Sequence, residues 1–288
     1  MRFLHESEVQ SLLRKYSIKP SKDRGQSFLT SLSVTQNIVN AANLVPEDIV
    51  LEIGGGLGIL SQLLAKEVNH LYVIEIEESL VHVLSDRLSE LPNVTLIHDD
   101  ALTTDLPAVT KIVANLPYSV ASEITFRLLN EASFEVAILM YQKEFADRLL
   151  ANPGSSGYSR LSIDFQYLGT AEHVLDVKAE HFYPRPKVDS SVLAIRKRGE
   201  GVFAKNAEVF FWVVHGIYSY PNKQLKKALG IWFNLLKCPS QLDLLVERLE
   251  SGIDLTTRLR SLHLSDLVYL SDVILGLVEE GILPDPRG

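Results

Sequence analysis

Leu51-Glu52-Ile53-Gly54-Gly55-Gly56-Leu57-Gly58 is the stretch on which the fold of this chain turns. It starts inside an apolar run, Ile49–Ile53, with the length of a buried strand. It passes through four glycines and enters Ile59–Lys66, where apolar residues recur at helical spacing. A glycine turn between strand and helix lets a ligand touch the backbone directly, because no Cβ stands in the way. A tight turn with no ligand uses the same residues, so its meaning depends on what surrounds it.

Outward from the turn the pattern repeats. Leu71–Glu75 reads as the next strand, followed by a helix from Glu78 to about Leu91; Val94–His98, Lys111–Ala114 and Val136–Tyr141 are further strands. Short apolar strands alternating with helices predict an α/β fold, a Rossmann-like parallel sheet with helices on both faces. Ala171–Val177 and Ser191–Arg196 read as a last strand pair. Lys197-Arg198-Gly199-Glu200-Gly201 is a polar linker, and beyond it Ala207–Gly216, Asn222–Leu229, Gln241–Leu249 and Ser265–Val278 all have helical periodicity. The expected organisation is an N-terminal arm and sheet domain over residues 1–198 and a small all-helical domain over 199–288.

Composition narrows the class. The 288 residues are 46% apolar and 22% charged, ordinary for a globular chain and unlike a disordered one. No apolar run approaches the ~18 residues of a membrane span. Met1–Val9 carries Glu6 and Glu8 where a signal peptide needs an apolar core. The single cysteine, Cys238, fits a reducing cytoplasm. The eight histidines show no metal-ligand spacing, so no metal is expected. Nothing suggests an obligate dimer, and a monomer is expected.

The net charge of −8 argues against nucleic-acid binding, but its distribution does not. Lys178 to Lys227 holds ten Lys/Arg against four acids, leaving −14 on the remainder, and Arg14–Arg24 has five bases and one acid. Basic stripes on an acidic body can track phosphates; solvated basic faces explain the same count.

Glu75 ends the second strand about twenty residues beyond the glycines, where a carboxylate can accept from both ribose hydroxyls of a nucleoside ligand. A nicotinamide cofactor calls for G-x-G-x-x-G/A, but the third position is Ile59 counting from Gly54 and Ser61 counting from Gly56. S-adenosylmethionine has no pyrophosphate, and the acid Glu52 before the glycines suits its ammonium. Asp99-Asp100-Ala101 follows the third strand, where a carboxylate and a backbone N–H can read an adenine edge; two acids in a turn also serve as solvated groups or helix caps.

Asn115-Leu116-Pro117-Tyr118 follows the fourth strand. Methylation of an exocyclic amino group is hard because the nitrogen lone pair is delocalised into the base. The Asn115 carboxamide oxygen and a backbone carbonyl of the turn can accept both amino hydrogens, holding the nitrogen in line with the sulfonium methyl. Pro117 stiffens the turn, and Tyr118 offers a face to an everted base. A proline turn with an aromatic packed behind it is the structural alternative.

These blocks together resemble the KsgA-type family of small-subunit ribosomal RNA adenine N6,N6-dimethyltransferases, which is similar to the erythromycin-resistance methylases. Gly25-Gln26-Ser27-Phe28-Leu29 resembles the family's G-Q-x-F-L motif, with Ser27 where asparagine is frequent. Glu52–Gly58 and Glu75 match the cofactor loop and the ribose-binding acid, Asp100-Ala101 the adenine pair, and Asn115–Tyr118 the catalytic motif. Gln142-Lys143-Glu144 and Tyr158–Ser162 resemble segments bordering the target site, with Ser159 replacing a common glycine. Phe182-Tyr183-Pro184-Arg185-Pro186-Lys187-Val188-Asp189-Ser190 resembles F-x-P-x-P-x-V-x-S.

The resemblance implies an S-adenosylmethionine-dependent enzyme that dimethylates two adjacent adenines near the 3′ end of small-subunit ribosomal RNA during ribosome biogenesis, within a pre-ribosomal small subunit. Its catalytic set is Asn115, Leu116, Pro117, Tyr118 and Phe182, with Phe182 as the second face of a base sandwich. Its cofactor set is Gln26, Ser27, Leu29, Glu52, Gly54, Gly56, Glu75, Ile76, Asp100, Ala101 and Asn115. Arg185, Lys187, Lys223, Lys226 and Lys227 are expected on RNA phosphates, the last three sharing a helix face among the aromatics Phe203, Phe210, Phe211, Trp212, Tyr218 and Tyr220. Two alternatives stand beside this reading: an assembly factor in which methylation is secondary, and a large-subunit methylase of the erythromycin-resistance type.

Overall fold

The computed structural model describes residues 6–20, 26–249 and 252–287. Gly25 of the N-terminal motif, and Lys22 and Arg24 of the first basic stretch, lie outside the described residues. The chain forms two compact units, Met1–Ala146 with Gly169–Lys197 and Asp147–Leu168 with Arg198–Gly288.

In chain order the elements begin with α1 (Glu6–Lys15), β1 (Phe28–Leu29), α2 (Leu32–Ala41), β2 (Ile49–Ile53), α3 (Ile59–Leu64), β3 (His70–Glu75), α4 (Glu78–Leu88) and β4 (Val94–His98). They continue with β5 (Lys111–Asn115), α5 (Ala121–Glu131), β6 (Val136–Gln142), α6 (Lys143–Leu149), α7 (Arg160–Leu168), β7 (Gly169–Val177), β8 (Phe182–Tyr183) and β9 (Ser190–Lys197). The C-terminal helices are α8 (Ala207–Ile217), α9 (Leu225–Leu235), α10 (Leu242–Leu249) and α11 (Leu264–Glu279). Among the described residues no helix is long and apolar enough to cross a membrane.

The first unit is built on a seven-stranded sheet of order β4-β3-β2-β5-β6-β9-β7. The five strands from β4 to β6 pair in parallel, and β9 and β7 close the edge antiparallel. Parallel strands covered on both faces are mostly apolar, as Val50, Leu51 and Ile53 in β2 and Ile112, Val113 and Ala114 in β5 are buried. The chain winds from β2 through β3 to β4 on one side, then returns to lay β5 on the other side of β2. That reversal opens a crevice at the carboxyl ends of β2 and β5, where ligands of open α/β sheets bind. At the opposite ends of these strands Lys111 Nζ meets Asp48 at 2.8 Å and Thr110 Oγ1 donates to the same carboxylate at 2.7 Å. This buried pairing holds β2 against β5. A separate two-stranded ribbon pairs Phe28 with Tyr183 and Leu29 with Phe182.

The second unit has its own apolar core. A single cut between residues 198 and 199 does not describe it, because Asp147–Leu168 belongs here. Tyr158, Ile163 and Tyr167 bury their apolar bulk in the same cluster as Phe210, Leu267 and Ile274, which costs less than leaving that surface to water. The stripe Leu267, Leu270, Ile274, Leu277 and Val278 on α11 is buried in it. The helix expected at Asn222–Leu229 starts later and runs longer, over Leu225–Leu235. Gln224, extended at ψ 148, pairs instead with Arg258.

Candidate active site

A cavity of about 580 Å³ opens at the carboxyl ends of the parallel strands, within the size range of small-molecule sites. Its floor is the glycine turn. Gly54, Gly56 and Gly58 have φ of +76, +57 and +73, left-handed values that disfavour any residue with a Cβ. A Cβ on Gly54 would stand 3.5 Å from Pro117 Cδ, so the turn touches the corner that follows β5. A Cβ on Gly56 would stand 3.4 Å from the Phe28 ring, which closes that side.

Glu75 lines the cavity at the end of β3. Its Oε2 accepts from Gly56 N at 2.9 Å and its Oε1 from Glu77 N at 3.0 Å, leaving each oxygen a second lone pair for a ligand. Burial pushes this carboxyl above the ordinary range, and the backbone N–H groups hold it down. Ile76, 60% exposed, forms a rim beside it.

Asp100 and Ala101 line the next wall. Asp100 Oδ1 accepts from Leu102 N at 2.9 Å, which shapes the turn. Arg127 on α5 clamps that turn from behind, donating to Ala101 O at 2.6 Å and Thr104 O at 2.7 Å.

Asn115, Leu116, Pro117 and Tyr118 line the wall facing the glycines. The Asn115 carboxamide makes no hydrogen bond to another described residue, so its oxygen is free to accept from a ligand. The Tyr118 hydroxyl lies 2.6 Å from Ser190 Oγ. Burial raises the phenol above its usual pKa, so it stays neutral at physiological pH.

Three expected residues lie elsewhere. Glu52 is 2% exposed, beneath the turn rather than in the cavity wall. Burial, opposed by Ser61 and reinforced by the nearby Glu75 charge, pushes its carboxyl up to about 8, which favours the protonated form at pH 7 in the cofactor-free protein. Leu29 faces the core of the sheet unit, as its partner Phe182 does. At 3% exposed, Phe182 does not wall the cavity opposite Tyr118, because β8 turns its ring inward. Phe28, the neighbour of Leu29 on the opposite face of the ribbon, lines the cavity instead, as do Gln26 and Ser27.

Of the expected RNA contacts, Arg185 and Lys187 are exposed on the loop between β8 and β9. Lys226 and Lys227 are exposed in the first turn of α9, adjacent rather than one turn apart. Lys223 precedes the helix, so the three do not share one helical face. Phe210 and Tyr218 are core residues, and Phe210 stacks on Tyr167 at 4.0 Å. Phe203 and Tyr220 are exposed, and each carries a cation over its ring, Arg198 and Lys223, both at 4.9 Å.

Sequence reasoning missed Phe28, Arg127 and Ser190. Phe28 was legible as the alternate partner of Leu29 in an extended pair. No spacing signal links Arg127 to the turn at 101–104 or Ser190 to Tyr118, because both contacts cross between elements.

Comparison with known proteins adds an independent line. The sequence model of the family described as "Ribosomal RNA adenine dimethylase" matches residues 18–246. A Methanosarcina barkeri protein named "Probable ribosomal RNA small subunit methyltransferase A" is 42% identical over 234 residues, 81% of each chain. A namesake from Methanococcus maripaludis is 38% identical over 266 residues, covering 89% of this chain and 98% of its own. Among solved structures, a dimethyladenosine transferase from Plasmodium falciparum superposes with a TM-score of 0.77 at 28% identity, over 89% of this chain and 99% of the other. The 23S rRNA methyltransferase ErmE gives a TM-score of 0.64 at 26% identity, over 85% and 98%.

Proposed function

The chain belongs to the ribosomal RNA adenine dimethylase family, and from that premise we propose that it uses S-adenosylmethionine to dimethylate N6 of two adjacent adenines near the 3′ end of small-subunit ribosomal RNA. The observation that carries this reading is the continuity of one cavity from the glycine turn and Glu75 to Asn115 and Tyr118.

The residues present suit the cofactor. Left-handed glycines leave a space that a Cβ would fill, Glu75 has acceptor capacity for ribose hydroxyls, and the Asp100-Ala101 turn can read an adenine. S-adenosylmethionine, when bound, supplies an electrophilic methyl group on a sulfonium. Asn115 Oδ1 and the Leu116 carbonyl accept the two amino hydrogens of the target adenine, which aims the N6 lone pair and stabilises positive charge as it develops. Tyr118 stacks on the base, which must leave its helix to reach this depth. No strong general base is needed, since the nitrogen loses its proton after becoming cationic.

Arg185 and Lys187 on the sheet unit, and Lys223, Lys226 and Lys227 on the helical unit, supply phosphate contacts in this reading. It takes the chain as a cytoplasmic monomer acting on a pre-ribosomal small subunit.

The direct test incubates the protein with labelled S-adenosylmethionine and small- or large-subunit ribosomal RNA, followed by nuclease digestion and mass spectrometry. N6,N6-dimethyladenosine from the small-subunit RNA or its particles alone is expected. Modification of the large-subunit RNA alone would move the chain to the ErmE branch.

Glu75→Ala is expected to weaken S-adenosylmethionine binding by about 1–3 kcal/mol by calorimetry, the cost of losing hydrogen bonds to a charged acceptor. Unchanged affinity would remove Glu75 from the ligand's contacts.

A further inference from the structure

Ser190 opens β9 and is fully buried. Its backbone is held from both sides, opposite Gln142 of β6 and Val177 of β7. The residue before it is pinned as well. Asp189 accepts from Lys178 Nζ at 2.8 Å and from Ala179 N at 3.0 Å, and its carbonyl accepts from Lys143 N at 3.0 Å. The Ser190 backbone is therefore a fixed point in the sheet, and its side chain is buried there. Tyr118 is different: it sits in the turn between β5 and α5, seventy-two residues away in sequence. The two hydroxyls are 2.6 Å apart and share a hydrogen bond in which either can donate.

We propose that Ser190 is a positioning residue for methyl transfer, tethering the Tyr118 hydroxyl to the rigid strand β9 so that the ring stays fixed against the incoming adenine. The phenol oxygen lies on the long axis of the ring. A bond to it sets where that axis points, and so the χ1 rotamer, while leaving rotation about the axis to packing. A stacking wall held in this way spares the base the cost of ordering it on arrival. The role rests on the proposed function only for the identity of the base; the tether itself is a property of the apoprotein.

The test uses Ser190→Ala, Tyr118→Phe and the double variant of the full chain. Each single change is expected to lower kcat/KM for the RNA about three- to tenfold, the range for one hydrogen bond, with S-adenosylmethionine affinity within twofold of wild type. The double variant should lose no more than the weaker single variant, because both changes remove the same bond. Losses that multiply, no loss at all, or a parallel drop in cofactor affinity would overturn the tether. If Ser190→Ala fails to fold, Tyr118→Phe severs the bond from the other end and is read alone. Three-bond couplings of labelled tyrosine report the Tyr118 χ1 rotamer without any RNA. They should show one rotamer in the wild type and averaging in whichever variants fold, and an unaveraged Tyr118 overturns the proposal. Absence of methylation by the wild-type protein would refute the assigned reaction and leave this readout standing.

Discussion

Asn115→Ala is expected to lower the rate of methyl transfer about 100- to 1000-fold, the cost of removing one preorganised group aimed at developing charge. Asn115 ends β5 at the reversal of strand order, its carboxamide is uncommitted among the described residues, and the glycine turn stands against the same corner. Because its main contact arises as the amine becomes cationic, cofactor affinity should fall no more than about tenfold, as for one hydrogen bond. Single-turnover transfer of label and calorimetry with S-adenosylmethionine separate the two quantities. Equal losses in both would make Asn115 a cofactor ligand rather than a catalytic one. The same variant weighs the assembly-factor alternative. If it still binds small subunits while methyl incorporation stops, binding and chemistry are separable functions of one chain.

The second large effect is on stability. Glu52 has a folded pKa of about 8 against 4.5 for an ordinary glutamate, because burial disfavours its charge. Below about pH 4.5 both folded and unfolded chains hold this proton. Between 4.5 and 8 the unfolded chain releases it and the folded chain keeps it. Stability therefore falls as pH rises through that window, by on the order of 5 kcal/mol in total, and levels off above it. Glu52→Gln cannot titrate. Urea unfolding of the cofactor-free protein should show the variant gaining on wild type from pH 5 to pH 8.5. A constant difference across that range would mean that Glu52 is charged in the fold and that its partners have been misjudged.

The neutrality of Glu52 also changes the account of the glycine turn. An acid before the glycines suits an ammonium by charge, yet this one lies under the turn, with its Oε2 buried and unpartnered. The sequence marks the position as acidic but carries no measure of depth. The acids that line the cavity are instead Glu75, buried at the end of β3, and Glu77, Glu78, Asp99 and Asp100 around it.

Local pattern was enough for the parallel sheet, since β2, β3, β5 and β6 are short runs of mostly apolar, mostly buried residues and the edge strand β4, only partly buried, keeps the same length and apolar character. It was also enough to put the glycine turn, Glu75, Asp100 and Asn115 at or just beyond the carboxyl ends of strands, where all of them line one cavity, because strand ends are readable from periodicity. Three matters were decided only by the fold. Asp147–Leu168 joined the helical unit because its apolar residues found a core supplied by segments far along the chain. Phe182 turned into the core of the sheet and Phe28 toward the cavity because pairing of β1 with β8 set which face each side chain took, and register is a relation between two strands. Tyr118 acquired Ser190 because a hydrogen bond depends on distance in space, on which spacing along a chain is silent.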